Sequence, residues 1–158
     1  MDRLDERSHF EVIGDIRYAL RYFQLEARLF GKIDGLFKLT YVVAGSSSFA
    51  GFMTGSPKLA GLAALTTAIV TALDIVWSPG AKRLICSELC KRYTELERRS
   101  KRLSLEDLEE EMWRIRETDA PSIEALRMPA YNDSVEERGL ASYKQPVSWW
   151  QRFIALLA

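Results

Sequence analysis

The chain has 158 residues and equal numbers of basic and acidic side chains, 22 of each, so it is sized for one domain and has no basic excess for nucleic acid. Its only cysteines, Cys86 and Cys90, exclude a disulfide framework and fit a reducing compartment for the polar part. Charge is segregated: between Leu39 and Trp77 only Lys58 and Asp74 are charged, which excludes an ordinary water-wetted helix surface and points to a bilayer.

The N-terminal part, 1–38, mixes acids and bases and contains no uncharged apolar core before a small-residue cleavage site. The first hydrophobic segment is therefore expected to stay in place as an uncleaved signal-anchor. Apolar residues at 13, 16, 20, 23, 27 and 30 step by three and four, an a/d stripe that predicts an amphipathic helix over about 10–35. Arg17, Arg21, Glu26 and Arg28 fall off that stripe. No strong breaker separates this helix from the apolar run that follows, so it is free to continue into the membrane.

A helical hairpin is predicted over 39–77. Its first segment, 39–56, is diluted by Ala44-Gly45-Ser46-Ser47-Ser48, and its second, 59–77, is more apolar. Each approaches the ~20 residues that cross a bilayer. Thr54-Gly55-Ser56-Pro57-Lys58 is a turn by composition, so short that the segments must be antiparallel neighbours. Arg28, Lys32 and Lys38 precede the hairpin and Lys82 and Arg83 follow it, whereas Lys58 alone marks the turn. The positive-inside rule then puts both termini in the cytosol.

Beyond Ser78-Pro79-Gly80, residues 78–128 read as cytosolic helices. Leu89, Tyr93, Leu96 and Leu103 continue a heptad stripe, with Ser100 in one slot. The simplest partner for this helix is 10–35, as an antiparallel coiled coil. Ser104 and Asp107 form a capping pattern before Leu105, Leu108, Met112 and Ile115. A short helix is expected from Pro121 to Met128, then an irregular linker over 129–147. The last segment, 148–158, is an amphipathic helix.

Several groups are candidates for function. Gly51 and Gly55 form a GxxxG, and Ala60, Ala64, Ala68 and Ala72 recur every four residues; such small-residue seams let helices pack closely in lipid, within the hairpin or between subunits. Ser46, Ser47 and Ser48 span most of a helix circumference and are candidates to face a polar lumen. Lys38 and Asp74, equidistant from the turn to within two residues, are expected to pair or share a polar layer near the cytosolic edge. Trp149, Trp150, Phe153, Ile154 and Leu157 suit the membrane interface, or docking onto the cytosolic helices or a neighbouring subunit. Cys86 and Cys90, at i and i+4, lack the four ligands of a zinc site and read as core. With one histidine, no P-loop and no dinucleotide fingerprint, no catalytic group, metal or cofactor is expected, and the chain reads as non-enzymatic.

Taken together, the fold class is all-α: an integral membrane two-helix hairpin continued into a cytosolic coiled coil or bundle. With this helix order, the motifs Arg21-Tyr22-Phe23, Arg28-Leu29-Phe30-Gly31-Lys32-Ile33-Asp34, Ala44-Gly45-Ser46-Ser47 and Lys91-Arg92-Tyr93 with Leu96 resemble the SLATT group of bacterial proteins, over about residues 17–117. That resemblance implies an inner-membrane homo-oligomer that breaches the membrane in bacterial or phage conflict. It implies no catalytic residues, and because nothing here looks like a sensor, the trigger is expected from a separate cytosolic partner. A membrane-anchored scaffold that recruits a cytosolic protein through 82–117 or Trp149-Trp150 is the alternative. A third reading makes 39–77 the buried core of a soluble bundle.

Overall fold

The structure, a computed structural model, describes residues 7–158; the start of the N-terminal segment, residues 1–6, lies outside them. Every regular element among the described residues is helical. Six α-helices follow in chain order: α1 His9–Met53, α2 Pro57–Trp77, α3 Pro79–Arg99, α4 Leu105–Arg116, α5 Glu124–Glu137 and α6 Trp149–Leu157, with single 3-10 turns at Ser100–Arg102 and Ala141–Tyr143. The predicted helix 10–35 and first hydrophobic segment are thus one helix, as the absence of a breaker between them allows.

The chain divides into two compact units, one of Phe30–Lys82 and one of Arg83–Ala158 with the chain up to Leu29. In the second of these, Val12, Ile16 and Ala19 of α1 meet Leu89, Tyr93 and Leu96 of α3 and Leu108, Met112 and Ile115 of α4 in one buried cluster. Contacts along α1 and α3 run in opposite order. The His9 ring lies 3.1 Å from the Ser100 carbonyl, Arg17 Nε donates to Glu97 Oε1 at 2.6 Å, and the Cys90 thiol points to the Leu20 carbonyl. The two helices are therefore antiparallel, as their apolar stripes require. The capping pattern forms as read: Asp107 N–H donates to Ser104 Oγ at 3.2 Å and starts α4.

The buried stripe of α1 is rotated from the one read in the sequence. It follows Val12, Ile16, Ala19, Tyr22, Glu26 and Phe30, all buried, while Ile13, Leu20 and Phe23 flank it. Glu26 is therefore not an outer position: it is 0% exposed. Steps of three and four through 12, 16, 19, 22, 26 and 30 suit a helix as well as the ones chosen, and only the carboxylate argued against them.

The irregular linker expected over 129–147 is corrected in its first half. Pro129 lies inside α5 rather than ending a helix. Proline usually stops a helix by removing one hydrogen bond and crowding the preceding turn. Here Leu126, Pro129, Ala130, Ser134 and Val135 are all buried, so the packing of that face outweighs the lost bond. Gly139, at φ 73°, then ends the helix: Leu140 N–H donates to the Val135 carbonyl and Gly139 N–H to that of Glu136.

The unit Phe30–Lys82 is the helical hairpin. At its tip Gly55 has φ 67°, with Ser56 N–H bonded to the Gly51 carbonyl at 2.8 Å and Gly55 N–H to that of Phe52 at 3.2 Å. This left-handed cap closes α1, and Pro57, whose missing N–H is not needed there, opens α2. At the far end Ser78 takes φ 47°, its N–H bonded to the Asp74 carbonyl at 2.8 Å. Pro79 follows and starts α3.

Candidate functional site

Within the hairpin the close approach is made by Gly51: a Cβ there would lie 2.8 Å from the Ala60 backbone nitrogen. Ala44 and Ala63 are buried, and Tyr41 Oη reaches the Val70 carbonyl at 3.4 Å. The packed line on α2 is therefore Ala60, Ala63, Thr67, Val70 and Asp74. A four-residue repeat drifts about 40° per step on a helix of 3.6 residues per turn. Ala64, Ala68 and Ala72 accordingly leave the line begun by Ala60 and are exposed. The expected GxxxG also divides, because Gly51 packs whereas Gly55 is the turn, with nothing within 4 Å of its would-be Cβ.

The Lys38–Asp74 pairing is not formed. Lys38 Nζ bonds Asp34 Oδ2 at 2.7 Å, one turn back on its own helix. Asp74 Oδ2 instead accepts the Tyr41 hydroxyl at 3.1 Å. Asp34 is itself buried, and a Cβ on Gly80 would come within 3.1 Å of its Oδ1, so Gly80 leaves room for the carboxylate. Counting outward from the turn finds the right level of the hairpin but not the azimuth of each side chain, and azimuth chooses the partner. Beside this polar layer, Phe30 and Trp77 meet edge to face at 6.5 Å, and Lys82 Nζ lies 5.8 and 5.6 Å from their ring centres.

Between that end and the tip the hairpin is apolar and uncovered. The helical stretch beginning at Pro57 is the one among the described residues long and apolar enough to cross a membrane; its best 18-residue window has mean hydropathy 2.0 and is 6% buried. The core helix of a soluble domain would be mostly covered by its own chain. Val76, at 86% exposed, and Ile75, at 73%, show how little covers this one. The apolar half of α1 is less hydrophobic, because Lys38, the glycines and Ser46–Ser48 dilute it.

All five threonines of this segment (Thr40, Thr54, Thr66, Thr67 and Thr71) donate to the carbonyl four residues earlier, at 2.8–3.0 Å. Their hydroxyls thus need no water. The hydroxyls of Ser46, Ser47 and Ser48 make no such bond. Ser46 is exposed, while Ser47 lines a groove of about 370 Å³ with Leu39, Val43, Ala44, Leu62 and Thr66.

In the other unit, Ile123 N–H, at the start of α5, donates to Glu26 Oε1 at 2.7 Å and lies 2.8 Å from Tyr22 Oη. α5 has no side-chain cap of its own, so α1 supplies one from across the core. The Cys86 thiol points to Glu26 Oε2 at 3.6 Å. Burial pushes the Glu26 carboxyl above the usual carboxylate range, against the hydrogen bonds from its neighbours. Burial likewise pushes the Cys86 thiol up to about 12 and the Cys90 thiol up to about 11. Both are free thiols, Cys86 buried and Cys90 half-buried. No three His, Cys, Asp or Glu side chains among the described residues are grouped to hold a metal ion.

The C-terminal helix packs on α5. Its start is a full capping box: Gln151 N–H donates to Ser148 Oγ at 3.2 Å, and Ser148 N–H to Gln151 Oε1 at 2.9 Å. Trp149, Trp150, Phe153 and Leu157 remain exposed and Ile154 is half-buried. Comparison of the chain with protein-family models, with curated proteins and with solved structures finds no match.

Sequence reasoning missed Glu26, Asp34 and Tyr41. Asp34 was visible as a carboxylate one turn before Lys38, and Glu26 as a member of a stripe that suits a helix equally well. Nothing in the local sequence marks Tyr41 as the partner of Asp74.

Proposed function

We propose that this chain is a non-enzymatic, SLATT-like inner-membrane protein whose two hydrophobic segments cross the bilayer as a hairpin with both termini in the cytosol. It assembles into a closed homo-oligomer that perturbs or perforates the membrane, as an effector in a bacterial or phage conflict system, when a cytosolic partner triggers it. The observation that carries this reading is the uncovered apolar surface of the hairpin, 6% buried over its most hydrophobic window. Several features support it further. The threonine hydroxyls bond inside their own helices, as a segment without water requires. Asp34, Lys38, Trp77 and Lys82 gather at the end opposite the turn, the residue types that settle at a membrane interface. The unbonded serines offer hydroxyls to a polar axis, and Ala64, Ala68 and Ala72 leave an exposed small-residue face for a neighbouring subunit.

The scaffold reading keeps one observation of its own. Trp113 on α4 is 56% exposed, with the Arg116 guanidinium 5.0 Å from its ring centre, an arrangement that suits a protein partner. Native mass after extraction separates the readings. A protein that needs detergent and runs as a discrete complex of several subunits, lost in Ala64→Ile/Ala68→Ile, supports the oligomeric effector; conductance in liposomes is then expected. A detergent-dependent monomer or dimer supports the scaffold, and solubility without detergent removes both.

A further inference from the structure

A short amphipathic helix that docks on a domain normally turns its apolar face inward. α6 does the reverse. At 100° per residue, Leu156, Trp149, Phe153, Leu157, Trp150 and Ile154 fill one arc of roughly 160°, in that order, and Arg152, Ala155, Gln151 and Ala158 take the rest. Ala158 is buried and Ala155 and Gln151 are half-buried, whereas Trp149 is 77% and Leu156 81% exposed. The covered side of the helix is thus Gln151, Ala155 and Ala158, with Ile154 half-buried at the edge of the apolar arc. Nor is its outward face loose: the Trp150 ring packs against Trp149 at 5.7 Å and against Phe153 at 5.8 Å, and the capping box holds the first turn.

We propose that this outward face is a seat on an anionic lipid bilayer, lying in the plane of the headgroups. The residue chemistry selects lipid as the occupant. Paired tryptophans with Phe153 and two leucines are the composition that buries to the depth of the interface while the indole N–H groups stay near water. Charge is complementary: from Gly139 to Ala158 the chain has Lys144 and Arg152 and no acidic residue. Lys144 is held by Glu136 at 2.7 Å, while Arg152, exposed at the border of the apolar arc, makes no ion pair among the described residues and is placed to meet a lipid phosphate. The inference rests on the membrane reading above for one thing, that the chain already resides at a bilayer. α6 alone, nine residues long, adds a second contact to that anchor.

The test uses the full chain with Trp77→Phe and Trp113→Phe, so that only Trp149 and Trp150 fluoresce, reconstituted into phosphatidylcholine vesicles with or without phosphatidylglycerol. Circular dichroism checks the fold, and retention after an alkaline carbonate wash reports on the hairpin separately. The expected result is blue-shifted emission that lipids brominated near the headgroup quench and aqueous iodide does not, stronger with phosphatidylglycerol. Arg152→Glu changes the charge by two units and should weaken the phosphatidylglycerol preference by more than the roughly fivefold expected for one charge at an anionic surface. Emission open to iodide in carbonate-resistant protein overturns the proposal and leaves the hairpin standing; loss of carbonate resistance as well removes the membrane reading itself. Shielding from both quenchers also overturns it, and identifies a second copy if the shielding fades as protein is diluted in lipid. Quenching by brominated lipid that ignores phosphatidylglycerol and Arg152→Glu overturns the anionic specificity.

Discussion

Glu26 on α1 accepts the backbone N–H of Ile123 at 2.7 Å, across 97 residues of sequence, and so caps a helix to which it does not belong. The contact joins a buried carboxylate, a tyrosine, a thiol and the first turn of α5 in one cluster. Removing the acceptor in Glu26→Ala leaves the half-buried Ile123 N–H with the Tyr22 hydroxyl as its one remaining partner, at a cost of about 1–2 kcal/mol. Glu26→Gln keeps a carbonyl oxygen for that N–H and removes the charge.

The pH dependence of this site follows from its direction. The folded carboxyl is raised above its unfolded value, so between the two values the folded state holds the extra proton. Its contribution is most favourable below the ordinary glutamate range, declines as pH rises toward the folded value, and is flat beyond. Glu26→Gln is expected to abolish that decline and to be more stable than the parent at neutral pH. Thermal melts across pH in detergent check this; a variant that keeps the parent's slope would assign it to another group.

The cysteines are predicted to be inert in the folded protein. Thiols pushed up to about 12 and about 11 hold little thiolate at mildly alkaline pH. Relative to an ordinary cysteine, alkylation should slow by about tenfold or more at Cys90 and further at Cys86, because the lost thiolate outweighs the gain in nucleophilicity. Mass spectrometry of iodoacetamide-treated protein should find Cys90 modified first, and both modified rapidly in denaturant. Equal labelling of the two in the native state would contradict the buried setting of Cys86.

Lys38 should couple to Asp34 and not to Asp74. In double-mutant cycles with Lys38→Met, Asp34→Asn and Asp74→Asn, the first carboxylate is expected to give a measurable interaction energy and the second to be additive. Tyr41→Phe, which removes the hydroxyl that Asp74 accepts, should couple to Asp74→Asn instead. An energy between Lys38 and Asp74 larger than that between Lys38 and Asp34 would restore the pairing read from the sequence.

The two hairpin glycines are expected to respond differently to size. Gly51→Ala places a methyl group 2.8 Å from the Ala60 nitrogen and should cost about 1–3 kcal/mol, with Gly51→Leu costing more. Gly55 has open space but a φ of 67°, so Gly55→Ala should cost about 1–2 kcal/mol and Gly55→Leu much the same. Thermal stability in detergent distinguishes them by whether the loss grows with the side chain.

What the sequence determined by itself is whatever depends on neighbours in the chain. Helical periods, the Gly55 and Ser78-Pro79 breaks and the Ser104 and Ser148 caps all arise within one or two turns, where backbone sterics and local hydrogen bonds decide. The partition into an apolar hairpin and polar helices follows in the same way, because solvent preference is a property of composition. The tertiary structure decided which side chain meets which. It turned Glu26 inward because Ile123 and Cys86 arrive there from distant segments, and it carried α5 through Pro129 because that face is buried. It gave Lys38 to Asp34 and Asp74 to Tyr41 by azimuth rather than level. It also set α6 down on its small, polar side, leaving the tryptophans outward. Apart from Lys38 and Asp34, one turn apart on α1, these choices have no local cause: each compares free energies between partners that sequence distance hides and packing alone brings together.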